Sequence, residues 1–66
     1  MKSDKLKGKL TEKSLSYEKC SDSLDISIAT FCKKINGKTA FTLPEAEKLG
    51  CILNLSDAEK IDIFLS

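Results

Sequence analysis

Two four-residue stretches constrain this chain more than any other feature: TLPE at residues 42–45 and SDAE at residues 56–59. In each, a hydroxyl residue is followed three positions later by Glu. The hydroxyl oxygen can then accept from the Glu backbone N–H while the carboxylate accepts from the N–H of the hydroxyl residue. Two donors that a helix start leaves open are satisfied together. Each stretch therefore predicts a helix N-terminus, with Thr42 capping the first. Pro44 falls in the first turn, where a missing N–H does no harm. Behind these caps, Leu43, Ala46, Leu49, Gly50 and Leu53 recur at helical spacing, and so do Ala58, Ile61, Phe64 and Leu65.

The remaining chain carries the same period. No segment alternates with period two over a useful length, so strands are not expected. A first helix is expected over residues 3–13, capped by Ser3 or Asp4, with Leu6 and Leu10 on one face. Gly8 inside it costs about 1 kcal/mol against alanine, or else admits close packing of another element. A second helix starts after Ser16 and sets Tyr17, Cys20 and Leu24 on one face, with Ser21 small enough for a tight helix crossing. Asp25 interrupts. Ser27 caps a third helix over about 28–36, with Phe31 and Ile35 pointing inward and Asn36–Gly37 closing it. The expectation is one all-α domain spanning residues 1–66, with five helices. A chain of this length buries only about 60% of its unfolded surface, so its core is thin.

Composition removes several classes. The chain is 41% hydrophobic and 32% charged, too apolar for a disordered segment. No apolar run approaches the ~20 residues of a membrane span. The opening MKSDKLKGKL lacks the apolar core of a signal peptide, which points to a cytoplasmic protein. Three cysteines, with no CxxC pair and no histidine, make neither a disulfide framework nor a zinc site. Cys20 is expected to act as a small core residue. Without histidine, a glycine-rich phosphate loop or an obvious carboxylate pair, neither catalysis nor a cofactor is expected.

The charge is uneven. Net charge is +1, yet residues 1–39 hold nine lysines against five acids and residues 40–66 hold two lysines against five acids. All eleven basic residues are lysine. Lysine attracts phosphate as a point charge but lacks the planar fork that suits a guanine edge. Lys33, Lys34 and Lys38, near the end of the third helix, form a candidate phosphate patch.

The link between Leu24 and Ile28 is about three residues long, which forces a sharp angle between helices two and three. LSYEKCSDSLDISIATFCKKINGK, residues 15–38, resembles the helix-turn-helix of the Cro/repressor-like family of phage and bacterial regulators. KLKGKL, KKINGKTAFTLPEAEKL and LNLSDAEKIDIFL extend the resemblance over nearly the whole chain. It implies a five-helix, lambda repressor-like DNA-binding domain. Many members are transcriptional repressors, and many bind as dimers.

The resemblance also implies residue roles. Cys20, Leu24, Ile26, Phe31 and Ile35 take core positions, and Ser21 the small-residue position. Ser16 and Tyr17 open helix two, where a phosphate is met. Ser27, Ile28, Ala29, Thr30 and Lys33 face the groove. Asn36 and Lys38 lie near the DNA backbone. Asp25 stands where Gly is usual, and Asp tolerates positive φ better than most residues. Lys34 stands where an apolar residue is frequent, so Ile35 is expected to take over in the core.

Ile28 and Ala29 replace polar readers, and neither makes a hydrogen bond. They could meet thymine methyl groups in the major groove while Thr30 and Lys33 supply hydrogen bonds. Alternatively Ile28 packs beside Phe31, or the pair meets another protein. In the last helix, Ile61, Phe64 and Leu65 fit one face and Ile63 falls elsewhere, so these four are candidates for a subunit contact. A two-fold dimer would set two third helices about 34 Å apart, one DNA turn.

The expected function is sequence-specific binding of double-stranded operator DNA by a homodimeric transcriptional regulator in a bacterial or phage-infected cell. The alternative, from another class, is a protein-binding module (an antirepressor or regulatory partner) on the same fold.

Overall fold

A computed structural model describes residues 1–65. Its five helices are α1 (Ser3–Glu12), α2 (Tyr17–Leu24), α3 (Ile28–Ile35), α4 (Leu43–Ile52) and α5 (Asp57–Phe64), with no strand among the described residues. Both capping boxes form: Thr42 with Glu45 at the start of α4, and Ser56 with Glu59 at the start of α5. Ser16 and Ser27 cap α2 and α3 by accepting from the N–H groups of Lys19 and Thr30.

The start of α1 departs from the sequence reading. Its cap is Lys2, with no side-chain cap bond, and neither Ser3 nor Asp4 serves. A tertiary tie replaces the local one. The Lys2 N–H donates to the Ile63 carbonyl at 2.8 Å. The Lys2 and Lys5 ammonium groups reach the Asp62 carboxylate at 2.6 and 2.5 Å, and Lys9 reaches Glu59 at 2.7 Å. The hydrogen bonds from Lys2 and Lys5 hold the Asp62 carboxyl down to about 2. Those from Lys9 and from the Ser56 N–H do the same for Glu59, also to about 2. Three of the N-terminal lysines thus answer acids of α5.

Gly8 admits no close packing. A Cβ there would meet nothing within 4 Å. Gly50 is the glycine that a crossing requires, because a Cβ there would lie 2.7 Å from Lys60 Cε, where the Lys60 stem passes over α4.

The core gathers Leu6 and Leu10 from α1, Cys20 and Leu24 from α2, Phe31 and Ile35 from α3, Leu49 from α4, Leu53 and Leu55 from the connection after it, and Ile63 from α5. Burial pushes the Cys20 thiol pKa up, as for an inert core thiol. Ser21 is buried at the helix crossing, and its hydroxyl donates back to the Glu18 carbonyl at 2.9 Å. The four aromatic rings form one edge-to-face series: Tyr17–Phe31 at 5.4 Å, Phe31–Phe41 at 6.0 Å and Phe41–Phe64 at 5.9 Å. Each such pair contributes about 0.5–1.5 kcal/mol beyond its buried area. The series runs from α2 through α3 to α5.

Two expected core stripes are corrected. Leu43, placed on the inner stripe of α4, is 70% exposed. In α5, Ile63 is buried, whereas Ile61 and Leu65 are 58% and 75% exposed and Ala58 is exposed as well. The inner face of α5 is Glu59, Lys60, Ile63 and Phe64. The aliphatic stems of Glu59 and Lys60 cover apolar surface while their charged ends reach outward. Ile63 is therefore a core residue and leaves the candidate subunit contact.

Candidate nucleic-acid interface

Between α2 and α3 lie three residues, Asp25, Ile26 and Ser27. The turn works because Asp25 adopts the left-handed conformation, with φ 58° and ψ 42°. Its N–H bonds back to the Asp22 carbonyl at 3.1 Å, and the Ile26 N–H to the Ser21 carbonyl at 3.0 Å. Ile26 is half-buried against the core and anchors the turn.

Beyond the turn, α3 divides into two faces. Phe31 and Ile35 are fully buried. Ile28, Ala29, Lys33 and Asn36 are exposed, with Cys32 half-buried among them, at the spacing of one helical face. Ile28 is 47% exposed, which removes the core-packing alternative. Cys32 belongs to this outward face although the sequence reading left it out; its position four residues after Ile28 was the signal.

The hydroxyls at the start of α3 are engaged with each other. Ser27 Oγ accepts from the Thr30 N–H at 3.1 Å and donates to Thr30 Oγ1 at 2.9 Å. Ser27 is thus spent on capping, while Thr30 keeps a proton to donate. Ser16 Oγ accepts from the Lys19 N–H at 3.1 Å and keeps its own proton. Tyr17 lays its ring against Phe31, and its hydroxyl makes no hydrogen bond among the described residues. Lys19 stands exposed in the first turn of α2, beside Ser16 and Tyr17, and is in no ion pair among the described residues. It was not among the candidates read from the sequence, which at the start of α2 were Ser16 and Tyr17.

Of the lysines expected in the phosphate patch, Lys34 is placed otherwise. Lys34 Nζ lies 2.5 Å from Glu45 Oε1, with side-chain exposures of 13% and 15%. Burial would push the Glu45 carboxyl up, but hydrogen bonds from Lys34 and from the Thr42 N–H outweigh it and hold it below its ordinary value. An ammonium so engaged is not free for phosphate. Ile35 takes the core place that Lys34 vacates. Lys38 lines a groove with Phe41, Phe64 and Leu65, beside the connection from α3 to α4. Lys33, on the outward face of α3, and Lys38 are both exposed and in no ion pair among the described residues.

Among the described residues, no group of three or more His, Cys, Asp or Glu could hold a metal ion, and no helix is long and apolar enough to cross a membrane. No family model, no curated protein and no solved structure matches the chain.

Proposed function

We propose that this chain is a sequence-specific DNA-binding regulator of the Cro/repressor-like helix-turn-helix type, acting as a homodimer on operator DNA. One observation carries the reading: the outward face of α3 is exposed while both ends of the helix are fixed, by the Asp25 turn and by the Lys34–Glu45 ion pair. A helix presented in this way suits the major groove.

In this reading Ile28 and Ala29 meet thymine methyl groups, Thr30 donates to an acceptor on a base edge, and Lys33 reaches a base or phosphate. Ser16, Tyr17 and Lys19, at the start of α2, meet the backbone of the duplex, and Asn36 does so at the other end of α3. These contacts position the protein, and the base contacts give specificity. Lys34 and Lys38 are not assigned to DNA.

The test is selection from random duplex DNA, followed by titration of the winning and scrambled duplexes at two salt concentrations. The reading expects an enriched site with A·T pairs under α3 and binding that weakens steeply with salt. A second reading, a protein-binding module, is favoured by the exposed apolar side chain of Ile28. It expects no enriched site and a contact that holds or tightens as a salting-out salt is added.

A further inference from the structure

Five large apolar side chains are exposed among the described residues, and Ile28 on α3 is one of them. The other four, Met1, Leu43, Ile61 and Leu65, gather on a different face. There, Leu43, Ala46, Phe64 and Leu65 form a ridge between two open grooves of about 480 and 350 Å³. Soluble chains rarely leave such a cluster uncovered unless it meets a partner.

We infer that this face joins two copies of the chain, with the start of α4 contributing as much as the end of α5. The inference deepens the homodimer of the proposed function and rests on it for biological context, but its own support is the charge on the two grooves. The larger groove has Lys38 as its one charged side chain among the described residues. The smaller carries Glu47, Asp57 and Lys60, an acidic balance. Lys60 lies 3.9 Å from Asp57, and its stem is held over Gly50.

A face that is basic on one side of an apolar ridge and acidic on the other is complementary to itself. A two-fold axis through the ridge lays the larger groove of each copy over the smaller groove of its partner. Lys38 then faces acidic side chains in both halves, as an isologous contact requires. A partner of uniform charge would be repelled by one of the grooves. Leu43 and Leu65, the most exposed of the four, supply the apolar contacts across the axis.

The test is sedimentation equilibrium of the full chain without DNA, from about 10 μM to about 1 mM. A shift from one chain mass toward two is expected. Leu43→Glu should raise the dissociation constant about tenfold or more, since it buries a charge at the centre of the contact. Its side chain is exposed, so its helical circular dichroism should match the wild type. Lys38→Glu and Glu47→Lys should each weaken association by about threefold, and their combination should restore it. A single chain mass at the highest concentration overturns the inference, as does a dimer that ignores Leu43→Glu. A combined variant no tighter than either single one overturns the two-fold pairing. Self-association without any enriched DNA site leaves this interface standing and removes the DNA reading; DNA binding by a strict monomer removes this interface and the homodimer and leaves the contact of α3 with DNA standing.

Discussion

Lys34 on α3 and Glu45 on α4 are joined by an ion pair of 2.5 Å in which both side chains are largely shielded from water. The same carboxylate oxygen accepts the Thr42 N–H at 2.9 Å, so one atom ties the last turn of α3 to the first turn of α4. Removing either partner leaves the other charge poorly solvated. Lys34→Ala and Glu45→Ala should each destabilise the fold by about 1–3 kcal/mol, less than a fully buried pair would cost. Urea denaturation of both single variants and the double variant should show a coupling of about 1 kcal/mol. Additive losses would mean that the pair contributes nothing of its own.

Asp25 holds a left-handed conformation in the turn before α3, with φ 58°. A β-branched residue pays more to enter that region than Asp does. Asp25→Val should cost about 1–2 kcal/mol. Asp25→Gly should be neutral or slightly stabilising, by up to about 0.5 kcal/mol, because relief at this φ offsets the extra freedom of the unfolded chain. Thermal melts of the two variants check the order. A valine variant as stable as the wild type would show that the turn is not held in this conformation.

Acid should loosen the packing of α1 on α5. The folded-state pKa of Asp62 is depressed from 3.8 to about 2, and that of Glu59 from 4.5 to about 2. Glu45 is depressed as well. A carboxylate held down in the fold contributes stability above its unfolded pKa and loses it as pH falls through the folded value. The melting temperature should therefore drop between pH 4.5 and about 2. Asp62→Asn should flatten part of that drop, and added salt should shrink it, since these pairs face solvent. A melting temperature independent of pH across this window would contradict the assignment.

What could be read from the sequence was local. The capping boxes at Thr42 and Ser56, the Ser27 cap and the tolerance of Asp25 for positive φ all depend on residues within three or four positions. They appear in the structure where the sequence put them. What could not be read was tertiary. Lys34 finds Glu45 eleven residues away, and Lys2 finds Asp62 sixty residues away, so the surplus of lysine in residues 1–39 overstates the free positive charge. In α5 the apolar residues of IDIFL sit so close together that the helical period fits more than one face. The choice of Ile63 over Ile61 for the core depends on where Glu59 and Lys60 send their charged ends. For the interface, the helical period sets Ile28 on the same side as Phe31 and Ile35 (i, i+3, i+7), so its 47% exposure in the first turn of α3 could not be read from the sequence. Cys32 stands four residues after Ile28, a spacing the sequence did show, whereas Lys19 is a lone lysine with no pattern to mark it.

The central claim is that the exposed face of α3 contacts DNA, and its most direct test is Ile28→Glu. The side chain is 47% exposed at the first position of α3, where a carboxylate suits the helix dipole, so the fold should be unaffected. Placed in a groove, the same carboxylate would face bases and phosphates. The measurement is a fluorescence anisotropy titration of wild type and variant against the duplex enriched by selection. The account predicts a loss of about 100-fold or more in affinity, about 3 kcal/mol, with an unchanged melting temperature. Equal affinity of the two proteins would contradict it and take α3 out of the interface.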